Sequence, residues 1–257
     1  MSILKADHIS MQFGGLTAVS NFYLNVKEGE LVGLIGPNGA GKTTVFNMLT
    51  GVYKPTKGKI YFDNQEINRK KVDEITALGM ARTFQNIRLF TNLSVLDNVM
   101  VGCHLRLKSS VLNAIFRFPE YLQEEDEIKK EAKELLKEVN LEKLENNLAG
   151  GLPYGQQRKL EIARALATRP KLLLLDEPAA GMNPQETKEL MSFIQEIQDK
   201  FKLTIILIEH DMKVVMGICE RILVLDYGKT IAEGNPIEIQ HNPEVIKAYL
   251  GVEAQYA

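Results

Sequence analysis

Gly36-Pro37-Asn38-Gly39-Ala40-Gly41-Lys42-Thr43-Thr44 follows directly on the apolar run Leu31-Val32-Gly33-Leu34-Ile35. In chain order this is a strand, a glycine loop and a helix start, and it fits the spacing G-x-x-x-x-G-K-[ST] in the context that spacing requires. A polyphosphate tail packs several negative charges close together, so it must be surrounded by donors that side chains would block. Glycine at Gly36, Gly39 and Gly41 lets main-chain N–H groups turn inward, with Pro37, Asn38, Ala40 and Thr44 completing the loop. A helix beginning near Lys42 points its positive end at the phosphates. Lys42 adds a point charge, and the Thr43 hydroxyl can bind Mg²⁺.

The chain around this loop has 257 residues and 45% apolar content, enough for a substantial core in one large domain or two small lobes. Its net charge is −2, from 31 basic and 33 acidic residues, with no basic run or tail. Nucleic acid is therefore not the expected partner. The start, Met1 to Asp7, has no basic segment followed by an apolar one, and no stretch approaches the roughly 18 apolar residues of a membrane span. The expectation is a protein made and kept in the cytosol. Cys103 and Cys219 stand alone, without a C-x-x-C or a His-rich neighbourhood, and are expected as buried free thiols.

Upstream of the loop, Ile3 to Ile9, then Phe22, Leu24 and Val26 with polar residues between, then Leu31 to Ile35, read as strands. Met11-Gln12-Phe13-Gly14-Gly15 is expected as an exposed turn whose aromatic, Phe13, can offer a stacking face to a base. Downstream, the helix from Lys42 should stop at Thr50-Gly51, with Pro55 preventing its resumption. A strand is expected over Lys59 to Phe62, turning at Asp63-Asn64.

From about Leu93 to Val139 the pattern becomes helical. Ser94 and Asp97 are spaced as a capping pair, and Ile128, Ala132, Leu135, Leu136 and Val139 share one face. Val111, Leu112, Ile115, Phe116 and Phe118 form an apolar cluster, read as core for this lobe or as a contact for a partner's helix. Leu152 to Arg158 leads into a helix with Leu160, Ala163, Leu166 and Ala167 on one side. Lys171-Leu172-Leu173-Leu174-Leu175-Asp176-Glu177 then suits a buried parallel strand ending in two carboxylates. Ligands of open α/β sheets lie beyond the carboxyl ends of strands, so Asp176 and Glu177 fall where a bound metal needs a carboxylate and an attacking water needs orienting. Leu203 to Ile208 is a second buried strand, with His210 at its tip. Arg221 to Glu233 reads as a hairpin turning at Tyr227-Gly228, before a short helix near Val245 to Leu250.

The ordered set of motifs resembles the ATP-binding cassette (ABC) ATPases over essentially the whole chain. Gly36 to Thr43 matches the family's P-loop, Gln85 its Q-loop, Leu172 to Asp176 its Walker B strand, Glu177 its catalytic glutamate, His210 its switch histidine and Phe13 its adenine-stacking aromatic. Leu152 to Gln156 stands at the signature motif, usually Leu-Ser-Gly-Gly-Gln, but Pro153 replaces the serine and Tyr154 the first glycine. Ala180-Gly181-Met182-Asn183 likewise replaces the usual Ser-Ala-Leu-Asp.

The resemblance implies an α/β P-loop fold with an antiparallel β subdomain, a mixed, mainly parallel core and an inserted helical subdomain. The core is expected over approximately 1–90 and 166–235, the helical subdomain over 91–165 and a helical tail over 236–257. It implies ATP and Mg²⁺ as ligands, with Thr43, Gln85 and Asp176 at the metal. Gly155 and Gln156 would face a phosphate held by a second cassette, a half-site that Pro153 weakens for want of a hydroxyl and an N–H.

The wording Phe13-Gly14-Gly15-Leu16, Arg82-Thr83-Phe84-Gln85, Tyr154 to Arg158, Asp176 to Gly181 and Ala248-Tyr249-Leu250-Gly251 is similar to the first ATPase subunit of branched-chain amino-acid importers. That likeness implies a complex on the cytoplasmic face of the membrane. Its parts would be a second, non-identical cassette, two permeases and, indirectly, an extracytoplasmic binding protein. A homodimer in isolation, a cassette for urea, short-amide or lipid transport, and a soluble ATPase acting on ribosomes or DNA are the other readings open to the sequence.

Overall fold

The computed structural model describes residues 1–107 and 118–253. The chain divides into two compact units, Met1–Arg82 with Lys171–Ala257, and Thr83–Pro170. The expected apolar cluster at Val111, Leu112, Ile115 and Phe116 lies outside the described residues.

The first unit holds two sheets. Strands β1 (Ser2–Phe13), β2 (Leu16–Lys27), β4 (Lys57–Phe62) and β5 (Gln65–Glu66) form an antiparallel sheet in the order β2-β1-β4-β5. In β2, Val19, Phe22, Leu24 and Val26 face inward while Tyr23 and Asn25 are exposed, the alternation of a sheet buried on one side. The turn expected over Met11 to Gly15 is shorter than that. Met11, Gln12 and Phe13 continue β1, Phe13 pairs with Leu16, and only Gly14 and Gly15 turn. Two residues suffice because Gly14 takes φ 57° without steric cost.

The other sheet has the order β10-β9-β3-β8-β7-β6, in which β3 (Leu31–Ile35), β6 (Met80–Arg82), β7 (Leu172–Asp176), β8 (Thr204–Ile208) and β9 (Arg221–Asp226) run parallel. Only the edge strand β10 (Lys229–Gly234) is antiparallel. Strands β3, β7 and β8 are buried at every residue, which accounts for their unbroken apolar runs. Helix α1 (Lys42–Leu49) buries Val45, Phe46, Met48 and Leu49 in one cluster with Leu4, Phe22 and Phe62 of the first sheet and Leu174 and Ile206 of the second. Each such side chain contributes about 2 kcal/mol. The loop before α1 is thereby anchored at the carboxyl end of the central strand β3.

Further helices of this unit are α2 (Val72–Ala77), α6 (Pro184–Phe201), α7 (Met212–Ile218), α8 (Pro236–Gln240) and α9 (Pro243–Glu253). Sequence reasoning passed over α6, although Asn183 caps it and pairs reciprocally with Glu186 across Pro184 at its first turn.

The second unit packs α3 (Val95–Cys103), α4 (Pro119–Glu138) and α5 (Tyr154–Leu166) around Val95, Val99, Ala132, Leu136, Leu160 and Ala163. Ser94 and Asp97 form the expected capping box. Helices α3 and α5 approach so closely that a Cβ at Gly102 would lie 2.4 Å from the Arg164 carbonyl oxygen.

Candidate active site

Gly36 leaves β3 at φ 149°, and a Cβ there would sit 2.0 Å from the Leu225 carbonyl oxygen of β9, so only glycine lets the loop turn this close to the neighbouring strand. The loop is also held by the β9–β10 hairpin, whose Gly228 N–H donates to the Ala40 carbonyl at 2.9 Å. On the other flank Tyr249 of α9 lies near the Gly36 amide, and burial pushes its phenol up to about 12. Helix α1 has no side-chain cap and no acidic residue in its first turn. Its positive end is therefore open to an anion.

The loop folds around a buried Lys42, whose Nζ donates to the carbonyls of Gly36 at 2.6 Å and Pro37 at 2.9 Å. Burial lowers the pKa of this ammonium, and the charges of Glu177 and Asp176 oppose that shift. A lysine bonded to the carbonyls of its own loop, with two carboxylates near it, keeps a charge ready for phosphate oxygens.

Glu177 follows β7 at φ 47°, in the left-handed region, and its N–H donates to the Ile208 carbonyl at 2.9 Å. His210 follows β8, and its Nε2 lies 2.5 Å from Glu177 Oε1, with the carboxylate 13% and the imidazole 42% exposed. Both residues line a cavity of about 440 Å³ together with Leu16 to Ala18, Asn38 to Thr44 and Tyr227. A larger cavity of about 540 Å³ lies against Pro37 to Ala40 and α9 but includes neither Glu177 nor His210. Only the former brings Lys42, Glu177 and His210 together. Phe13 does not line it: this ring, 42% exposed at the end of β1, packs edge-on against Tyr53 at 5.3 Å.

Asp176 is held by a residue to which sequence reasoning gave no role. The Arg82 guanidinium, at the end of β6, donates to Asp176 Oδ2 at 2.7 Å and to Asn47 Oδ1 of α1 at 2.7 Å. It lies over the Phe46 ring at 5.5 Å. The fork fixes the β7 carboxylate relative to the phosphate-loop helix. A charged residue at the end of an apolar strand was the available signal.

Thr43 is exposed and lines the cavity, whereas Asp176, buried and bonded to Arg82, is not among its lining residues; both carry an oxygen donor. These are hard oxygen donors suited to Mg²⁺. Among the described residues no group of three His, Cys, Asp or Glu could hold a metal alone. A cation held here would need further ligands from phosphate and water, as Mg²⁺ commonly does.

Gln85, Gly155 and Gln156 belong to the helical unit. Gln85 is exposed, and its carbonyl accepts from the Arg158 guanidinium at 2.9 Å. Arg158, fully buried in α5, also donates to the Phe84 carbonyl at 2.8 Å and to Glu161 Oε2 at 2.7 Å. This arginine, quoted in the sequence but given no task there, ties the helix after the signature segment to the main chain at Gln85. Helix α5 begins at Tyr154 with Pro153 as its N-cap, so no side chain caps it. A Cβ at Gly155 would meet nothing within 4 Å, which leaves the backbone there open to approach.

Comparison with known proteins agrees with this geometry. The family model described as ABC transporter matches residues 19–180, and one described as branched-chain amino acid ATP-binding cassette transporter matches residues 229–255. The chain is 48% identical over 249 residues to the high-affinity branched-chain amino acid transport ATP-binding protein BraF of Pseudomonas aeruginosa, covering 97% of this chain and 98% of that protein. It is 47% identical, with the same coverage, to the corresponding protein LivG of Escherichia coli. Among solved structures, the ADP conformation of an ATP-binding cassette of an ABC transporter superposes with a TM-score of 0.85 at 33% identity, covering 98% of this chain and 99% of that one. A dimeric post-hydrolysis cassette bound to ADP and Pi superposes with a TM-score of 0.74 at 29% identity, covering 91% and 98%. The chain belongs to the ABC transporter family, as an ATP-binding cassette similar to those of branched-chain amino-acid transport.

Proposed function

We propose that this chain is the ATP-hydrolysing subunit of a membrane importer of branched-chain amino acids. The observation that carries the cargo is near-full-length identity of 47–48% to ATP-binding proteins of branched-chain amino acid transport. No helix among the described residues is long and apolar enough to cross a membrane. The subunit works at the cytoplasmic face, with two permeases and a second, different cassette.

Lys42 and the amides of Gly36 to Thr44 hold the phosphates, while Thr43, Asp176 and Gln85 would hold Mg²⁺. The metal, when bound, neutralises charge on the β- and γ-phosphates. Glu177 polarises the attacking water, and His210, in contact with that carboxylate, faces the γ-phosphate. Gly155 and Gln156, in the uncapped first turn of α5, face the nucleotide of the partner cassette, and Pro153 makes that donated half-site the weaker one. Exposed Phe90, Leu93 and Leu148 of the helical unit offer an apolar contact to a permease helix.

The test is capture of partners from solubilised membranes by the Glu177→Gln chain loaded with ATP. A polytopic permease and a second cassette should be recovered. Ribosomal or DNA-bound proteins with no permease would overturn the transport reading.

A further inference from the structure

Glu209 is the last residue before His210, and only 3% of its surface is exposed. Among the described residues it forms no ion pair. Its carboxylate is met instead by main-chain amides: Ala179 N–H donates to Oε1 at 2.7 Å and His210 N–H to Oε2 at 3.1 Å. Burial raises the pKa of this carboxyl, and the neighbouring main-chain amides oppose that shift. A buried carboxylate without a cation is costly, and a small neutral side chain would cap a local turn at less expense. Its placement indicates what the carboxylate adds.

Strands β7 and β8 pair as far as Asp176 and Ile208, and the Glu177 N–H to Ile208 carbonyl bond closes the ladder. Beyond it the chains part into two loops, one carrying Glu177 and the other His210. Glu209 spans the two, with one oxygen on each. A carboxylate can do this because both its oxygens accept; an amide of the same shape would turn an NH₂ against one of the donors.

We propose that Glu209 is a positioning residue for hydrolysis, whose carboxylate ties the Glu177 loop to the His210 loop so that the two side chains facing the γ-phosphate keep their mutual placement. Among the described hydrogen bonds of Glu209 none goes to Lys42 or the phosphate loop, so nucleotide affinity is expected to be separate from this role. The inference rests on the hydrolytic reading of the site, and the measurements below separate the two.

The Glu209→Gln chain keeps volume and removes one acceptor. Its turnover should fall between about 10-fold and 10²-fold, as for a sub-ångström to ångström misplacement of reacting groups. Binding of a fluorescent ATP analogue should stay within about twofold of the parent. In a His210→Ala background the same change should cost nothing more, because the two act through one contact. Hydrogen exchange should rise together in segments 177–181 and 209–212, whether or not the chain hydrolyses ATP. Parent-like turnover, a full additional loss on top of His210→Ala, or faster exchange confined to 209–212 would each overturn the proposal. An inactive parent chain whose two segments still open together would instead count against the hydrolytic reading alone.

Discussion

Two arginines, Arg82 in one unit and Arg158 in the other, do different work. Arg82 in the strand unit bonds to side chains, Asp176 and Asn47, and so aims the carboxylate proposed for the metal. Arg158 in the helical unit bonds to the main-chain carbonyls of Phe84 and Gln85 as well as to Glu161, and so also shapes a segment of backbone. In the strand unit the fold already supplies the frame, because parallel strands end side by side and present Gly36, Glu177 and His210 at one edge. In the helical unit no ladder fixes residues 84–88, and buried side chains replace it.

The largest expected effect breaks the second of these arrangements. Arg158→Met leaves Glu161 buried without its cation and two carbonyls without their donor, at a cost of about 3–5 kcal/mol. Urea unfolding should show the loss, and hydrogen exchange should accelerate first at residues 84–88. Arg82→Met should cost about 3 kcal/mol, because Asp176 is then buried alone, with faster exchange at the ends of β6 and β7 instead. Equal acceleration in both units for either variant would erase the distinction drawn between them.

Lys42→Ala should weaken binding of a fluorescent ATP analogue about 10²-fold, the worth of one or two charge-assisted bonds, while leaving the helical unit's exchange unchanged. The smallest effect sharpens the comparison at α5, which starts without a side-chain cap. Pro153→Ser supplies a capping hydroxyl and should raise the unfolding free energy by about 1 kcal/mol. If stability falls instead, the proline contributes through the rigidity it gives the unfolded chain.

The contrast also separates what the sequence makes legible from what it does not. The phosphate loop, strands β7 and β8 and the hairpin at Tyr227-Gly228 were readable because each depends on residues adjacent in the chain: glycines, unbroken apolar runs, a turn pair. Helix α6 was equally readable from Asn183, Pro184 and Glu186 and was passed over. Gly14-Gly15 marks a turn that on sequence alone takes in Phe13, yet the strand runs up to the glycines. Arg82, Arg158 and the contact of Tyr249 with Gly36 are different in kind. Their partners lie 94, 74 and 73 residues away or on another element, and several are backbone atoms that every residue type shares. No local pattern announces such a bond. The charged residue beside an apolar run is visible, but its task is settled only by the fold.

The central claim is that Glu177, held against His210 at the edge of the parallel sheet, activates the water that attacks ATP. Phosphate release by the Glu177→Gln chain, measured beside its binding of a fluorescent ATP analogue, tests this most directly. The account predicts turnover lower by at least about 10²-fold with binding retained. Near-parental phosphate release from that variant would contradict it.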